Sequence, residues 1–214
     1  MYENRKSAGK LLANKLKKLQ DEGKLINPVV VALPRGGVPV GVEIAKALNA
    51  PLDILFVKKI PAPQNEELAI GSVSESGMVF VNKDLIERLG IDETYLQEKG
   101  IEKIQEMARL RDKYKHEPVL LENKDVILVD DGIATGATMH LAAQSVVRDL
   151  PRSITIAVPV APNDEEVLKM IKGVCHHFEV LETPDMFMSV GKWYDDFHQL
   201  SDKEVKELLE EVKH

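Results

Sequence analysis

The sequence has no means of cross-linking itself and few aromatic anchors: it holds one cysteine, Cys175, among 214 residues, and Phe, Trp and Tyr together make up 5%. A single thiol makes no internal disulfide, so the fold rests on packing, and Cys175 reads as a core residue. No apolar run reaches the ~20 residues that cross a bilayer, and the opening MYENRKSAGK lacks an apolar signal core. The expectation is a cytoplasmic protein with no membrane partner. The formal charge is −7, with both signs mixed along the chain. No basic arm or stripe faces a polyanion, so no nucleic-acid partner is expected. Glycine loops occur, but none has the G-x-G-x-x-G spacing or a Walker A lysine, which sets aside a Rossmann oxidoreductase and a P-loop NTPase. His176 and His177 are adjacent, fall on opposite faces of an expected strand over 174–181, and have no third ligand at a matching spacing. A metal site built from protein side chains alone is not expected.

What is present suits a single α/β domain over 1–214, with 44% hydrophobic residues to fill a core. Its centre is the stretch VILVDDGIATGATM, residues 126–139. Four apolar residues end in Asp130 and Asp131, and a small-residue loop then enters a helical pattern near Thr138. This reads as a buried strand, a turn and a helix N-terminus. Such a junction points unpaired backbone N–H groups outward from the positive end of a helix dipole, and Gly132, Ala134, Gly136 and Ala137 let an oxyanion approach. The two carboxylates cannot bind that anion, but they suit the vicinal hydroxyls of a ribose. Together the features describe a ribose 5-phosphate.

The same grammar occurs earlier. Val29–Leu33 reads as a buried parallel strand, followed by Pro34-Arg-Gly-Gly37 and a helix with Pro39 in its first turn. Arg35 brings a permanent charge with a fork suited to phosphate, and Gly36 and Gly37 leave backbone N–H groups open. Leu52–Val57 is expected as the next strand, ending at Lys58 and Lys59, so that alternation lets one lysine point into the crevice at the strand ends.

The flanking segments are expected to frame this crevice. Residues 5–22 form a helix packing by Ala8, Leu11, Leu12, Leu16 and Leu19. Residues 68–73 and 78–81 form a hairpin, and 84–89 and 92–115 form helices, the second N-capped by Asp92 and carrying Ile101, Ile104, Ala108 and Arg111 near one face. Leu141, Ala142, Val146 and Leu150 continue the central helix, Ser153–Val160 is a strand, and Asn163 with Glu166 caps a further helix. Ser201 with Glu204 forms a capping box for a last helix, with Val205, Leu208, Leu209 and Val212 as its docking stripe. Between them, Thr183–Phe197 gathers the only Trp and several other aromatics. Trp193 and Tyr194 are candidates to stack on a nucleobase, or alternatively to plug the sheet edge or a subunit contact.

VILVDDGIATGAT resembles the phosphoribosyl pyrophosphate (PRPP) signature of the type I phosphoribosyltransferases, and LPRGG resembles the pyrophosphate loop of that family. The joint pattern of LPRGGVPVG, ELAIGSV, VDDGIATGATM and VGKWYDDF most resembles bacterial proteins described only as predicted phosphoribosyltransferases, from about residue 5 to residue 210. The resemblance implies a parallel-sheet fold with a hairpin and helical insertion over about 82–117, longer than in compact members, and a small hood over about 183–200. It implies a glycosyltransferase of nucleotide metabolism that moves the 5-phosphoribosyl group from PRPP to a nitrogenous base and releases pyrophosphate. Mg²⁺ would be held by phosphate and ribose oxygens, reached by Asp130 and Asp131 through water at most. Arg35, Gly36, Gly37, Lys58 and Lys59 would serve the pyrophosphate, with Lys59 favoured over Lys58. Asp130 and Asp131 would serve the ribose, and Gly132, Ile133, Ala134, Thr135, Gly136, Ala137 and Thr138 the 5-phosphate. Relatives acting on 6-oxopurines carry Asp where this chain has Ala134, which argues against hypoxanthine or guanine. The same fold also serves regulatory proteins that bind PRPP without turnover, and a hydrolytic or phosphorylase-like use of the pocket is a third reading. A homodimer is the family-level expectation.

Overall fold

The computed structural model describes residues 1–212. In chain order the elements are α1 (Arg5–Asp21), β1 (Pro28–Ala32), α2 (Gly37–Leu48), β2 (Leu52–Ile54), β3 (Val57–Ala62), β4 (Asn65–Ser74), β5 (Val79–Val81), α3 (Lys83–Leu89), α4 (Glu93–Tyr114), β6 (Asp125–Val129), α5 (Ala137–Val147), β7 (Ser153–Val160), α6 (Glu165–Lys172), β8 (His177–Glu182) and α7 (Asp202–Glu210), with a 3-10 turn at Val190–Trp193 before the last helix. No helix among the described residues is long and apolar enough to cross a membrane.

Five strands form a parallel sheet in the order β2-β1-β6-β7-β8. Their near-continuous Val/Ile/Leu runs are what a sheet covered on both faces requires. Alternation sends Ile127 and Val129 into one core with Leu12, Leu16, Val40, Ile44, Val205 and Leu209, while Val126 and Leu128 enter the other with Met139, Ala142, Val146 and Ile171. The chain order reverses direction between β1 and β6. From β1 it runs through α2 to β2 on one side, and from β6 through α5 to β7 on the other. The loops leaving the carboxyl ends of these two strands therefore diverge and leave a crevice between them, where open α/β sheets take their ligands.

At the opposite end of β6 the chain is pinned. Asp125 is fully buried and accepts the N–H groups of Ile26 (2.8 Å) and Asn27 (2.9 Å) and the Ser153 hydroxyl (2.6 Å). It also pairs with Arg152. Burial pushes its carboxyl up, but these partners outweigh burial and carry it below the ordinary range.

The segment between β2 and β6 departs from expectation. The parallel strand stops at Ile54, and Val57–Ala62 joins β4 and β5 in a separate antiparallel sheet of order β3-β4-β5. Lys58 and Lys59 thus lie opposite Val73 and Ser72 in that small sheet, not at the end of a parallel strand. The hairpin and both helices of the insertion occur as read, with Asp92 accepting the Tyr95 N–H as the N-cap of α4. Its buried positions are Gly100, Met107 and Tyr114, whereas Ile101 and Ala108 are exposed. In α1 the inward face is Ala8, Leu12, Ala13 and Leu16, and Leu11 faces outward. A helix of mixed polarity can turn any of several stripes inward, and the neighbouring layer selects one.

Three smaller expectations shift. The central helix ends at Val147, and Leu150 is exposed beyond it in a left-handed turn. Helix α6 is capped by Asp164 rather than Asn163, because the Asp164 carboxylate is the group that accepts the Val167 N–H. The last strand begins at His177, and His176 lies before it with Nδ1 accepting the Ile154 N–H. Cys175 is half-buried against the second core, and burial pushes its thiol up to about 11. The capping box of Ser201 and Glu204 forms as read, and Val205, Leu208 and Leu209 dock.

Candidate functional site

Strands β1 and β6 end side by side, the Leu33 N–H donating to the Val129 carbonyl at 2.9 Å. Each then turns directly into a helix. The first loop, with a cis peptide between Pro34 and Arg35, touches the second so closely that only glycine fits. A Cβ on Gly36 would collide with Asp131 Oδ2, and one on Gly37 would lie 2.5 Å from the Val129 carbonyl oxygen. In the second loop Gly136 adopts φ 78°, a left-handed conformation that side chains resist.

The helix starts fall into two groups. Among the seven helices of the described residues, five begin at a side chain that accepts an N-terminal N–H: Asn4, Asn82, Asp92, Asp164 and Ser201. Helices α2 and α5 begin instead at Gly36 and Gly136, with no side-chain acceptor. These are the two helices that open onto the crevice. At α5 the first N–H groups are left for an external acceptor, whereas at α2 the Gly37 and Val38 N–H groups already donate to the Leu33 and Arg35 carbonyls and Pro39 has none, so that end offers its dipole and the Gly36 N–H; an anion is the acceptor such ends favour.

Two cavities lie along this edge. One, of about 460 Å³, is lined by Gly132 through Met139, with Asp130, Lys59, Phe80, Asn82 and Val190. The other, of about 360 Å³, is lined by Pro34, Arg35 and Gly36, with Lys58, Asp131 and Arg5. The neighbours Asp130 and Asp131 thus divide between the two cavities, as do Lys58 and Lys59. A larger cavity of about 630 Å³ lies elsewhere, beside Asp53, Glu75 and Arg111. Those three charged groups are already spent on one another: Arg111 pairs with Asp53 (3.2 Å) and Glu75 (2.7 Å), and Asp53 accepts the Val119 N–H at 2.9 Å.

The two acids of the crevice differ in what surrounds them. Asp130 accepts the Asp131 N–H at 2.8 Å, and burial followed by the adjacent Asp131 charge pushes its carboxyl well above the ordinary range. Asp131 is also raised by burial, but it faces Arg5, whose Nε donates to Oδ2 at 2.8 Å and opposes the rise. The cluster is an acid pair with one member paired and the other turned toward the phosphate-type loop.

Several expected groups have partners that the sequence does not announce. Arg35 does not project alone into the crevice: its Nη1 donates to the Leu200 carbonyl at 2.6 Å, and its Nε lies 3.4 Å from Asp202. Tyr194 is not open to a base. It is 5% exposed, its hydroxyl donates to the Asp131 main-chain carbonyl, and its ring stacks on Phe197 at 5.2 Å. Trp193 lines a small separate cleft with Met1, Met186 and Met188. Of the expected hood, only Val190 reaches the larger crevice cavity. Conversely, Arg5, Phe80 and Asn82 belong to the site surroundings with no signal in the sequence to mark them. No group of three or more His, Cys, Asp or Glu side chains able to hold a metal ion occurs among the described residues. The crevice can contribute one carboxylate without an ion pair, the open N-terminus of α5, the dipole end of α2 and lysine or arginine charge, which suits a ligand that carries its own phosphate oxygens.

Comparison with known proteins follows the same lines. A family model described as phosphoribosyl transferase domain matches residues 1–183. A protein of Mycobacterium tuberculosis (strain ATCC 25618 / H37Rv) named "Putative phosphoribosyl transferase Rv0571c" is 35% identical over 212 residues, covering 98% of this chain and 46% of that protein. The chain thus spans about half the length of the curated relatives it matches. Among solved structures, TT1426 from Thermus thermophilus is 34% identical, with a TM-score of 0.82 and 100% of both chains covered. A hypothetical protein from Neisseria gonorrhoeae, solved with bound ppGpp, shares the fold at 15% identity and a TM-score of 0.54, over 100% of this chain and 95% of that one.

Proposed function

The chain belongs to the phosphoribosyl transferase domain family, and from that premise we propose that it transfers the 5-phosphoribosyl group of PRPP to a nitrogenous base. The observation that carries the reading is the pair of uncapped helix ends, α2 and α5, meeting at the point where the sheet order reverses. Two anion-directed ends separated by an acid pair match a ligand with a phosphate at one end, a ribose between and a pyrophosphate at the other.

In this assignment the 5-phosphate takes the backbone N–H groups of Ala134 to Thr138, with the Thr135 and Thr138 hydroxyls. Asp130 accepts hydrogen bonds from ribose hydroxyls. Gly36 offers its N–H group to the pyrophosphate and Gly37, its own N–H held by the Leu33 carbonyl, gives the loop its close approach, with Arg35 and the lysines Lys58 and Lys59 supplying positive charge. The reaction breaks the bond from ribose C1 to the pyrophosphate oxygen and forms one from C1 to the acceptor nitrogen. Pyrophosphate leaves with the bonding pair, and the acceptor's proton passes to solvent. Fixed positive charge beside the departing oxygens stabilises the charge that develops there. Mg²⁺ fits a crevice whose ligand brings most of the oxygens; Asp130 would hold it through water at most, and the ion would supply charge to neutralise the pyrophosphate. Ala134 stands where 6-oxopurine enzymes of the resemblance carry Asp, so the acceptor is drawn from other bases.

The test is a phosphorus NMR time course of PRPP with Mg²⁺, the protein and a pool of purine and pyrimidine bases, against a no-base control. Pyrophosphate appearing only with the pool is the expected result, and splitting the pool names the acceptor. Pyrophosphate with ribose 5-phosphate in the control would make the protein a hydrolase. PRPP resonances that broaden without turnover would make it a PRPP-binding regulatory protein, and no change at all would remove the proposal.

A further inference from the structure

Arg5 is an unusual residue to find on the first turn of a surface helix. It is 8% exposed, although α1 carries its other basic residues outward. Its guanidinium makes three contacts. Nε donates to Asp131 Oδ2 at 2.8 Å, Nη1 donates to the His198 carbonyl at 3.0 Å, and the guanidinium carbon lies 3.9 Å above the centre of the Phe197 ring. The same C-terminal stretch grips Asp131 from its main chain, through the Tyr194 hydroxyl. Tyr194 is in turn held between Phe197 and Tyr2, and Tyr2 donates its hydroxyl to the Pro159 carbonyl at 2.9 Å. One acid of the pair is therefore fastened at its carboxylate by α1 and at its carbonyl by the 194–198 stretch. Asp130 has neither fastening.

We infer that Arg5 is a positioning residue of the ribose site: seated on Phe197, it ties Asp131 down as an anchor for the acid loop and leaves Asp130 as the acid that meets the ribose. The inference rests on the proposed ribose 5-phosphate site and assigns unequal roles to two residues that the sequence presents as twins. The physical reason is charge. Two adjacent half-buried carboxylates beside a dianionic phosphate repel both the ligand and each other, and a buried arginine on one of them reduces that repulsion without blocking the other. Without Arg5, the Asp131 carboxylate is unpaired beside Gly36 and Asp130, and it opposes the incoming anion.

A set of variants separates this role from simple packing. Calorimetric titration with ribose 5-phosphate, and separately with inorganic pyrophosphate, would be run on wild type, Arg5→Ala, Arg5→Lys, Asp131→Asn, Asp130→Asn and the Arg5→Ala/Asp131→Asn pair, each shown to be folded by circular dichroism. Arg5→Ala is expected to weaken ribose 5-phosphate by about tenfold, and the paired variant to recover most of that loss, because the uncompensated charge has gone. Arg5→Lys should fall between wild type and Arg5→Ala. Asp130→Asn should lose more affinity than Asp131→Asn, and pyrophosphate affinity should change less than ribose 5-phosphate affinity throughout. If Arg5→Ala fails to fold, Arg5→Lys and the paired variant still carry the test. A paired variant as weak as Arg5→Ala would mean that Arg5 acts only by packing, and equal losses at the two acids would also overturn the inference. Wild type that ignores ribose 5-phosphate altogether would instead overturn the function it rests on.

Discussion

The two ends of β6 carry acids in opposite conditions. At its start, Asp125 has two backbone N–H donors, a hydroxyl and an arginine, and these partners hold its carboxyl below the ordinary range in spite of burial. Past its end, Asp130 is half-buried beside another acid and held above that range. One end of the strand uses charge to close the fold. The other keeps a charge underserved, as a site that awaits a ligand must. The helix ends repeat the contrast, since five helices are capped by side chains and the two that follow β1 and β6 are not.

The contrast can be broken from either side. Removing the satisfied acid should do the most damage to the fold. Asp125→Ala takes the acceptor from the Ile26 and Asn27 N–H groups, the Ser153 hydroxyl and Arg152 at once and should cost on the order of 3 kcal/mol in urea unfolding, while leaving phosphate-ligand affinity intact in the folded fraction. A cost under about 1 kcal/mol would place Asp125 among ordinary surface acids.

The unsatisfied acid should behave in the reverse sense. A carboxyl raised in the folded state favours the protonated fold, so its contribution to stability is full below the ordinary carboxylate pKa and is lost as pH rises through the raised value. Asp130→Asn removes that loss. The variant should melt above wild type at pH 8, by about 2–4 °C for each kcal/mol recovered, while binding ribose 5-phosphate poorly. Coincident melting curves from pH 4 to 8 would show that Asp130 is not held raised.

Between these lies Gly36. Its Cβ position is already taken by Asp131 Oδ2. Gly36→Ala should therefore displace Asp131 from Arg5 and weaken both pyrophosphate and ribose 5-phosphate, whereas selective loss of pyrophosphate alone would indicate that the two loops are independent. The smallest effect is expected at a capped helix. Asp164→Ala should cost about 1 kcal/mol and leave every ligand untouched, and a ligand effect there would blur the distinction between the two classes of helix start.

Much of this site is legible in the sequence because its chemistry is local. A β-branched run, two acids and a glycine loop are contiguous, so Val126–Met139 declares a strand, a small-residue loop and a helix without help from the rest of the chain, and the stretch from Val29 through Gly37 does the same. The family resemblance rests on those same contiguous words. What stays hidden depends on distant partners. Arg5 and Asp131 are 126 residues apart, and nothing in the pattern of α1 distinguishes a buried arginine from a solvated one. Tyr194 lies in an aromatic stretch that reads equally as a base platform or a prop, and only its bond to the Asp131 carbonyl decides between them. The continuous apolar run Leu52–Val57 points Lys58 and Lys59 to the parallel sheet, but that run is shared between β2 and the antiparallel β3, and periodicity does not report which sheet a strand joins.

If the two uncapped helix starts are the two anion subsites of one ligand, they must respond to it together. Backbone amide NMR of the ¹⁵N-labelled protein, titrated with PRPP and Mg²⁺, addresses this residue by residue. The amides of Gly36 and Ala134 to Thr138 should move along one saturating curve, while the first turns of the helices capped by Asp92 and Asp164 stay in place. Shifts confined to one loop, or centred on a capped helix, would refute the shared site.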